Sequence, residues 1–384
     1  MAYLVTELAT TCVRMATQAA HDLWGRPAPA IDPGHAFEAF RSERHTRVIG
    51  ADPSPLWSPL SGDYRAADGW VRLHANYPHH ADAIRRALGD DPATTVGGTP
   101  AVAVEDAVLA EGGAAAALRT RESWLAVQGS SVRTEPLVAL EELASGEPVA
   151  RAGDAPLAGV RVLDLTHVIA GPVCGRVLAA HGADVLHVTP PGWPVLLDVM
   201  RDTDFGKRQC TTDLAGVRAL AAEADVFVQS YRPGSLGFTA EDLAEAGTVV
   251  VSLSAYGHTG PWRGRRGFDS LVQMSTGIAA GDPPNPLPAQ ALDHGTGWLA
   301  AYGAMTALAR GGSWHVRVSL ARTAEWLHDL GQGDPVSEAD PAPWLTETDS
   351  DFGRLRHIRV PGATVRLPGP RRPGSDPADW TWTA

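Results

Sequence analysis

Of the thirty-two basic residues in this chain, a single one is lysine: Lys207, in the tripeptide Gly206-Lys207-Arg208. Where arginine supplies every other cation, a lone lysine marks a place that wants a compact ammonium rather than a planar guanidinium. Further cations suited to holding phosphate are Arg208 and Arg232 in Ser230-Tyr231-Arg232-Pro233-Gly234, while the trio Arg263, Arg265 and Arg266 reads equally as a solvated basic loop. The Tyr231 ring offers a face on which an aromatic base can pack. One carboxylate also stands out, Asp293 in Leu292-Asp293-His294-Gly295-Thr296-Gly297, just ahead of a helical segment. By local sequence alone the commonest role of such an aspartate is a helix N-cap. His167 follows an apolar run and reads either as a site residue or as a satisfied core histidine.

The frame that must position these groups follows from composition. A chain of 384 residues exceeds one ordinary core, and 44% hydrophobic with 20% charged residues describes a soluble globular protein. The net charge of −12 argues against a general nucleic-acid or anionic-membrane surface, so an anionic ligand must meet a local basic cluster. No run approaches the ~18 consecutive apolar residues of a membrane span. The N-terminal stretch carries Glu7 and His21 where a signal peptide needs a basic start and an unbroken apolar run. Cys12, Cys174 and Cys210 are far apart and lack the spacing of a zinc site. A cytoplasmic protein with reduced thiols and no metal is the expectation.

Composition divides the chain near 145–157, where SGEPVARAGDAPLAG reads as a linker. Before it, in residues 1–150, the patterns predict a smaller α+β region: helices over 1–23, 78–88, 100–110 and 114–127, and a strand over 69–74. After it, strands at 160–165, 184–188, 225–229, 248–253 and 314–320 alternate with helices at 172–181, 214–223, 239–246, 297–310 and 321–330. The fold class that follows is α/β, a Rossmann-like parallel sheet with helices on both faces, over 151–330. Residues 331–384, rich in Pro, Gly, Asp and Arg, read as irregular chain wrapping a surface. The first strand–helix turn, 166–172, lacks GxGxxG, and the second strand ends in His187-Val188-Thr189 without an acidic residue for a ribose, which disfavours a nicotinamide dinucleotide.

Seven blocks, in order, carry a resemblance: PLAGVRVLDLTHVIAGP at 156–172, LAAHGADVLHV at 178–188, FGKR at 205–208, ADVFVQSYRPGSLG at 224–237, VVVSLSAYGHTGP at 249–261, RRGFDSLVQMSTG at 265–277 and ALDHGTG at 291–297. They resemble the class III CoA-transferases of the CaiB/BaiF type, relatives of formyl-CoA transferase, carnitine CoA-transferase and α-methylacyl-CoA racemase. The resemblance implies an acyl-CoA:carboxylate CoA-transferase with a coenzyme A thioester as substrate, a carboxylic acid as acceptor and no tightly bound cofactor. It implies CoA contacts at Lys207, Arg208, Tyr231 and Arg232, with His167 near the acyl end. It makes Asp293 the catalytic nucleophile, held ionised by a nearby helix N-terminus whose N–H groups would stabilise an oxyanion. It also implies a homodimer.

Departures from the family pattern shape two alternatives. The racemases use a histidine in a Gly-His-Asp segment, and the matching segment here is Gly267-Phe268-Asp269. Phenylalanine cannot exchange a proton, so racemisation falls to second place, with His294 the remaining candidate base. A noncatalytic CoA-ester-binding relative is the alternative outside the enzymes. Formyl-CoA transferases carry glutamine where Ile169 stands, and their glycine-rich loop has no counterpart after residue 320, which disfavours oxalate-like acids. Asp68-Gly69-Trp70-Val71-Arg72-Leu73 and Arg121-Glu122-Ser123-Trp124-Leu125 resemble pieces of the family's smaller domain, which ordinarily follows the aspartate, so a permuted or partly fused arrangement is expected.

Overall fold

A computed structural model describes residues 2–52, 55–148, 153–334 and 340–381. The expected domain boundary at 150/151 lies outside the described residues.

The first long helix, α1 (Val5–Trp24), places Val5, Leu8, Ala9, Cys12, Val13 and Ala16 on one buried face, the three-and-four spacing of an amphipathic helix, and stops at Gly25 in the left-handed conformation. A three-stranded antiparallel sheet follows, built from β1 (Gly62–Arg65), β2 (Trp70–Leu73) and β3 (Ala115–Ala117) in that spatial order. Helices α2 (Pro78–Leu88) and α3 (Ala101–Ala110) join β2 to β3, and Val71, Leu73, Ile84, Val104 and Val108 close a separate small core. The helix expected over 114–127 is therefore corrected. Its alanines pair with β2 as a strand, and helical backbone begins only at Arg121. Alanine's helix propensity is a weak prior that sheet pairing overrides.

The larger unit is a seven-stranded sheet. Its strands are β4 (Ala139–Ala144), β5 (Arg161–Asp164), β6 (Asp184–Thr189), β7 (Lys207–Thr211), β8 (Val226–Gln229), β9 (Val249–Ser254) and β10 (Ser313–Ser319), in spatial order β4-β10-β9-β8-β5-β6-β7. All pairs are parallel except the β4 edge, which runs antiparallel to β10. The sheet therefore winds outward in both directions from the β5–β8 boundary. At such a switch point the loops leaving the strands diverge and open a crevice at their carboxyl ends.

Both faces of the sheet are covered. One carries α1, α4 (Ala170–Ala180) and α6 (Ala291–Arg310) in the main core with Val162, Val228 and Val251. The other packs Leu163, Leu186, Phe227 and Val250 against the segments around Leu220 and Leu243. Between β9 and α6 lies α5 (Asp269–Ser275), and α7 (Leu320–Leu330) follows β10. Helix α6 starts at Ala291, six residues before the expected 297, so Asp293 lies inside its first turn rather than ahead of it. The glycines that obscured this start serve close packing: a Cβ on Gly297 would lie 2.4 Å from the Ala170 carbonyl oxygen of α4. The C-terminal stretch expected to be irregular contains a hairpin, β11 (Leu345–Ser350) with β12 (Gly353–Ile358). Among the described residues no helix is long and apolar enough to cross a membrane.

Candidate active site

The crevice at the switch point is a cleft of ≈ 630 Å³. The β5–α4 turn contributes His167 and Ile169, the loop after β8 contributes Tyr231 and Arg232, and α6 contributes the buried Asp293. Four of the residues expected to serve binding or catalysis, Asp293, His167, Tyr231 and Arg232, are thus brought together. Tyr231 is held by its backbone N–H, which donates to Gln229 Oε1 at 2.7 Å, while Gln229 Nε2 donates to Ser252 at 2.6 Å. Arg232 is exposed at the mouth, as is Arg263. A larger cavity of ≈ 1020 Å³ lies elsewhere, between the end of α1 and residues 344–367, and holds none of the six sequence-selected residues.

Lys207 and Arg208, expected to hold CoA, do not line this cleft. Lys207 is 2% exposed and its Nζ donates to Asp164 Oδ2 and Asp204 Oδ1, each at 2.9 Å. Burial works against its charge, but the two carboxylates outweigh that and hold the ammonium protonated. The room comes from Gly175 on α4, where a Cβ would sit 2.5 Å from Asp164 Oδ2 and 3.0 Å from Lys207 Cε. A compact ammonium suits this confined, two-carboxylate setting better than a planar guanidinium. Arg208 forms a two-point pair with Asp184 at 2.9 and 2.7 Å and donates to the Asp379 carbonyl oxygen at 2.9 Å.

Asp293 is 6% exposed, and its environment is set by a second aspartate. Asp269, the first residue of α5, accepts the backbone N–H groups of Leu292 and Asp293 on one oxygen, at 2.8 and 2.9 Å. It therefore caps α6 from outside the helix, where Gln290 at the N-cap position makes no side-chain bond. Those two N–H groups are occupied and do not serve an oxyanion, and Asp293 is not itself the cap. Its surroundings oppose ionisation of the carboxyl, where the helix end was expected to favour it. Burial first, then the nearby charges of Asp269 and Glu43, raise its pKa well above the ordinary carboxylate range. Burial likewise pushes Asp269 up to about 6, against the hydrogen bonds that favour its charge.

His294 points away from the cleft. It stacks on Phe40, with centroids 5.6 Å apart, and its Nε2 lies 3.1 Å from Glu43, so it is not available as the second base of a racemase. Phe268 stacks face to face on His74 at 3.8 Å and meets His80 edge-on at 5.7 Å. His167 stacks on Trp193 at 5.9 Å, and its buried Nε2 has no hydrogen-bond partner among the described residues. Burial, then His187, lower its pKa to about 4, so the ring is neutral near neutrality.

Tyr77, His80 and Trp193, which carry no motif of their own, form one wall of this cleft. What signal there was lies in Tyr77-Pro78-His79-His80, where a proline at the first helical position sets two adjacent histidines into the first turn of α2. Nothing local showed that α2 packs beside a loop more than a hundred residues downstream.

Residues 157–330 match the family model described as CoA-transferase family III. Over 182 residues the chain is 34% identical to a probable fatty acyl-CoA transferase of Mycobacterium tuberculosis, Rv3272, covering 40% of this chain and 46% of that protein. Over 185 residues it is 33% identical to the succinyl-CoA–D-citramalate CoA-transferase of Chloroflexus aurantiacus, covering 40% of this chain and 44% of that protein. An orthorhombic crystal structure of the Mycobacterium protein aligns at 32% identity over 46% of this chain and 56% of that one, with a TM-score of 0.42. The chain thus spans less than half the length of these two curated relatives.

Proposed function

We propose, for a chain whose residues 157–330 match CoA-transferase family III, that it moves coenzyme A from an acyl thioester to a carboxylic acid through covalent intermediates on Asp293. The observation that carries this reading is the position of Asp293, a buried carboxyl lining the switch-point cleft, with Asp269 and Glu43 opposing its ionisation. A carboxylate formed there is poorly stabilised and correspondingly nucleophilic, and acylating it removes the unfavourable charge. Relatives with CoA-transferase names support the same reading.

The steps balance without a redox partner. A carboxylate oxygen of Asp293 attacks the thioester carbonyl, the C–S bond breaks, and the thiolate leaves with the electron pair, giving a mixed anhydride. The thiolate attacks the Asp293 carbonyl carbon and expels the donor acid as its carboxylate, leaving an aspartyl-CoA thioester. The acceptor carboxylate attacks that carbon, releases thiolate and forms a second anhydride. Attack of the thiolate on the acceptor acyl carbon yields the new thioester and restores the Asp293 carboxylate. The α4 start at Ala170 and Gly171 lines the cleft and presents a helix N-terminus to the reacting carbonyl. The exposed Arg232 and the Tyr231 ring at the mouth suit the phosphates and adenine of CoA.

The test is hydroxylamine trapping followed by peptide mass spectrometry, after incubation with a panel of acyl-CoAs. A hydroxamate on the Asp293 peptide is expected, and Asp293→Ala should lose both the adduct and transfer while still binding CoA. Transfer that survives in Asp293→Ala removes the nucleophile from the scheme.

A further inference from the structure

Arg265 and Arg266 are neighbours in sequence with opposite electrostatic surroundings. Arg265 pairs with the buried Glu105 and lies over Trp262. Arg266 bonds to the carbonyl oxygens of Gly112 and Gly113, in the loop after α3, and has no carboxylate partner among the described residues. It is partly buried, and burial, followed by the charge of Arg232, lowers its pKa. A desolvated cation without a counter-charge is costly, and the protein as a whole is acidic.

Beside it stands His80, 2% exposed, with neither ring nitrogen hydrogen-bonded among the described residues. Both residues line the cleft that contains Asp293. The physical link is short: His80 packs edge-on against Phe268, and the next residue, Asp269, holds the Asp293 backbone. Burial and then the charge of Arg266 lower the His80 pKa to about 3, so the ring offers one N–H donor and one acceptor rather than a second cation. Buried polar atoms in native proteins are nearly always bonded, so an unmatched pair in a cleft points to a ligand that supplies the missing partner.

We infer that Arg266 and His80 form an anion subsite in the acyl part of the cleft, which receives the distal carboxylate of a dicarboxylic acid whose other carboxyl reacts at Asp293. Arg266 supplies the counter-charge and the His80 N–H supplies a directed hydrogen bond. The phosphates of CoA are the other source of anionic oxygens, but the exposed Arg232 and Arg263 already stand at the mouth. His80 and Asp293 are both buried, line the same cleft and are joined through Phe268 and Asp269, so a group reacting at Asp293 lies on their side of it. This inference rests on the transferase reading and extends it by naming the class of acid.

The experiment is equilibrium titration of the full chain, saturated with CoA, with succinate, glutarate and adipate, each compared with its monomethyl ester. The ester keeps the reacting carboxylate and the chain length but removes the distal charge. At least one diacid should bind roughly 10- to 100-fold more tightly than its ester, the scale of a charge-assisted hydrogen bond. Arg266→Gln should erase that preference while leaving the ester within about threefold of its original affinity. His80→Phe should erase part of it, and His80→Gln should retain more than His80→Phe. No diacid preference in the unmodified protein overturns the subsite, and equal weakening of diacid and ester by both variants assigns them a structural role. A loss confined to CoA binding assigns the anion to a phosphate and overturns it too. Diacid preference without any hydroxylamine-trapped adduct refutes the Asp293 chemistry but not the subsite; trapping without preference does the reverse.

Discussion

Replacing Asp269 by asparagine separates the two things its carboxyl does. Asp269 is fully buried and accepts two backbone N–H groups of α6 at 2.8 and 2.9 Å. Asparagine keeps an oxygen for both while removing the charge. In the folded protein burial raises the Asp269 pKa from 3.8 to about 6. For an acid raised in this way the fold prefers the protonated form, so its contribution to stability is present below the unfolded value and is lost as pH rises through about 6. The difference between the two values corresponds to roughly 3 kcal/mol. Asparagine mimics the neutral acid at every pH. The stability of Asp269→Asn relative to the original chain should therefore shift in the variant's favour by ~3 kcal/mol between about pH 3 and about pH 8. Urea denaturation across that range measures the difference directly. A difference that does not change with pH refutes the reasoning. The same substitution removes one of the charges that raise Asp293, so the acid limb of the transfer rate should move to lower pH.

Two further predictions concern the buried ion pair beneath α4. Lys207→Met leaves Asp164 and Asp204 without their shared cation and should cost about 3–5 kcal/mol of stability, while calorimetry shows CoA affinity within about threefold. A protein of unchanged stability with weakened CoA binding would return Lys207 to the ligand. Gly175→Ala drives a methyl group to within 2.5 Å of Asp164 Oδ2, and thermal and chemical denaturation should show a loss of about 1–3 kcal/mol. An unshifted denaturation midpoint would mean that the pair tolerates being pushed apart.

The strands built from Val and Leu runs, β5, β6, β8 and β9, were legible in the sequence because a parallel sheet buried on both faces demands continuous apolar residues, and β10 through the alternation of Trp314, Val316 and Val318. Strand β7 was not, because it opens Lys207-Arg208-Gln209, and its polar residues are buried through partners far away in sequence. The start of α6 was hidden by Gly295 and Gly297, which weaken local helix propensity and are needed where α6 approaches its neighbours. The cleft divides in the same way. His167, Tyr231 and Arg232 follow strands of the main sheet, so motif order placed them at its carboxyl end. His80 is delivered by α2, from outside the matched region, and only tertiary packing brings it to Phe268. Lys207 was legible as unusual, but its buried pairing with Asp164 and Asp204 was not, because rarity reports a demanding environment without saying whether that environment is a cavity or a core.

The partners of the early segments have a consequence for how the chain matures on the ribosome. Helix α1 packs against α6, and the edge strand β4 pairs with β10, so elements that emerge first must wait for elements translated much later. Until then α1 presents Leu8, Val13 and its other apolar residues without their main cover, and β4 remains an open strand edge. A topology so dominated by distant contacts closes slowly. The interval is the period in which the nascent polypeptide is most exposed to aggregation, and a chaperone that shields α1 would be expected to raise the yield of folded protein.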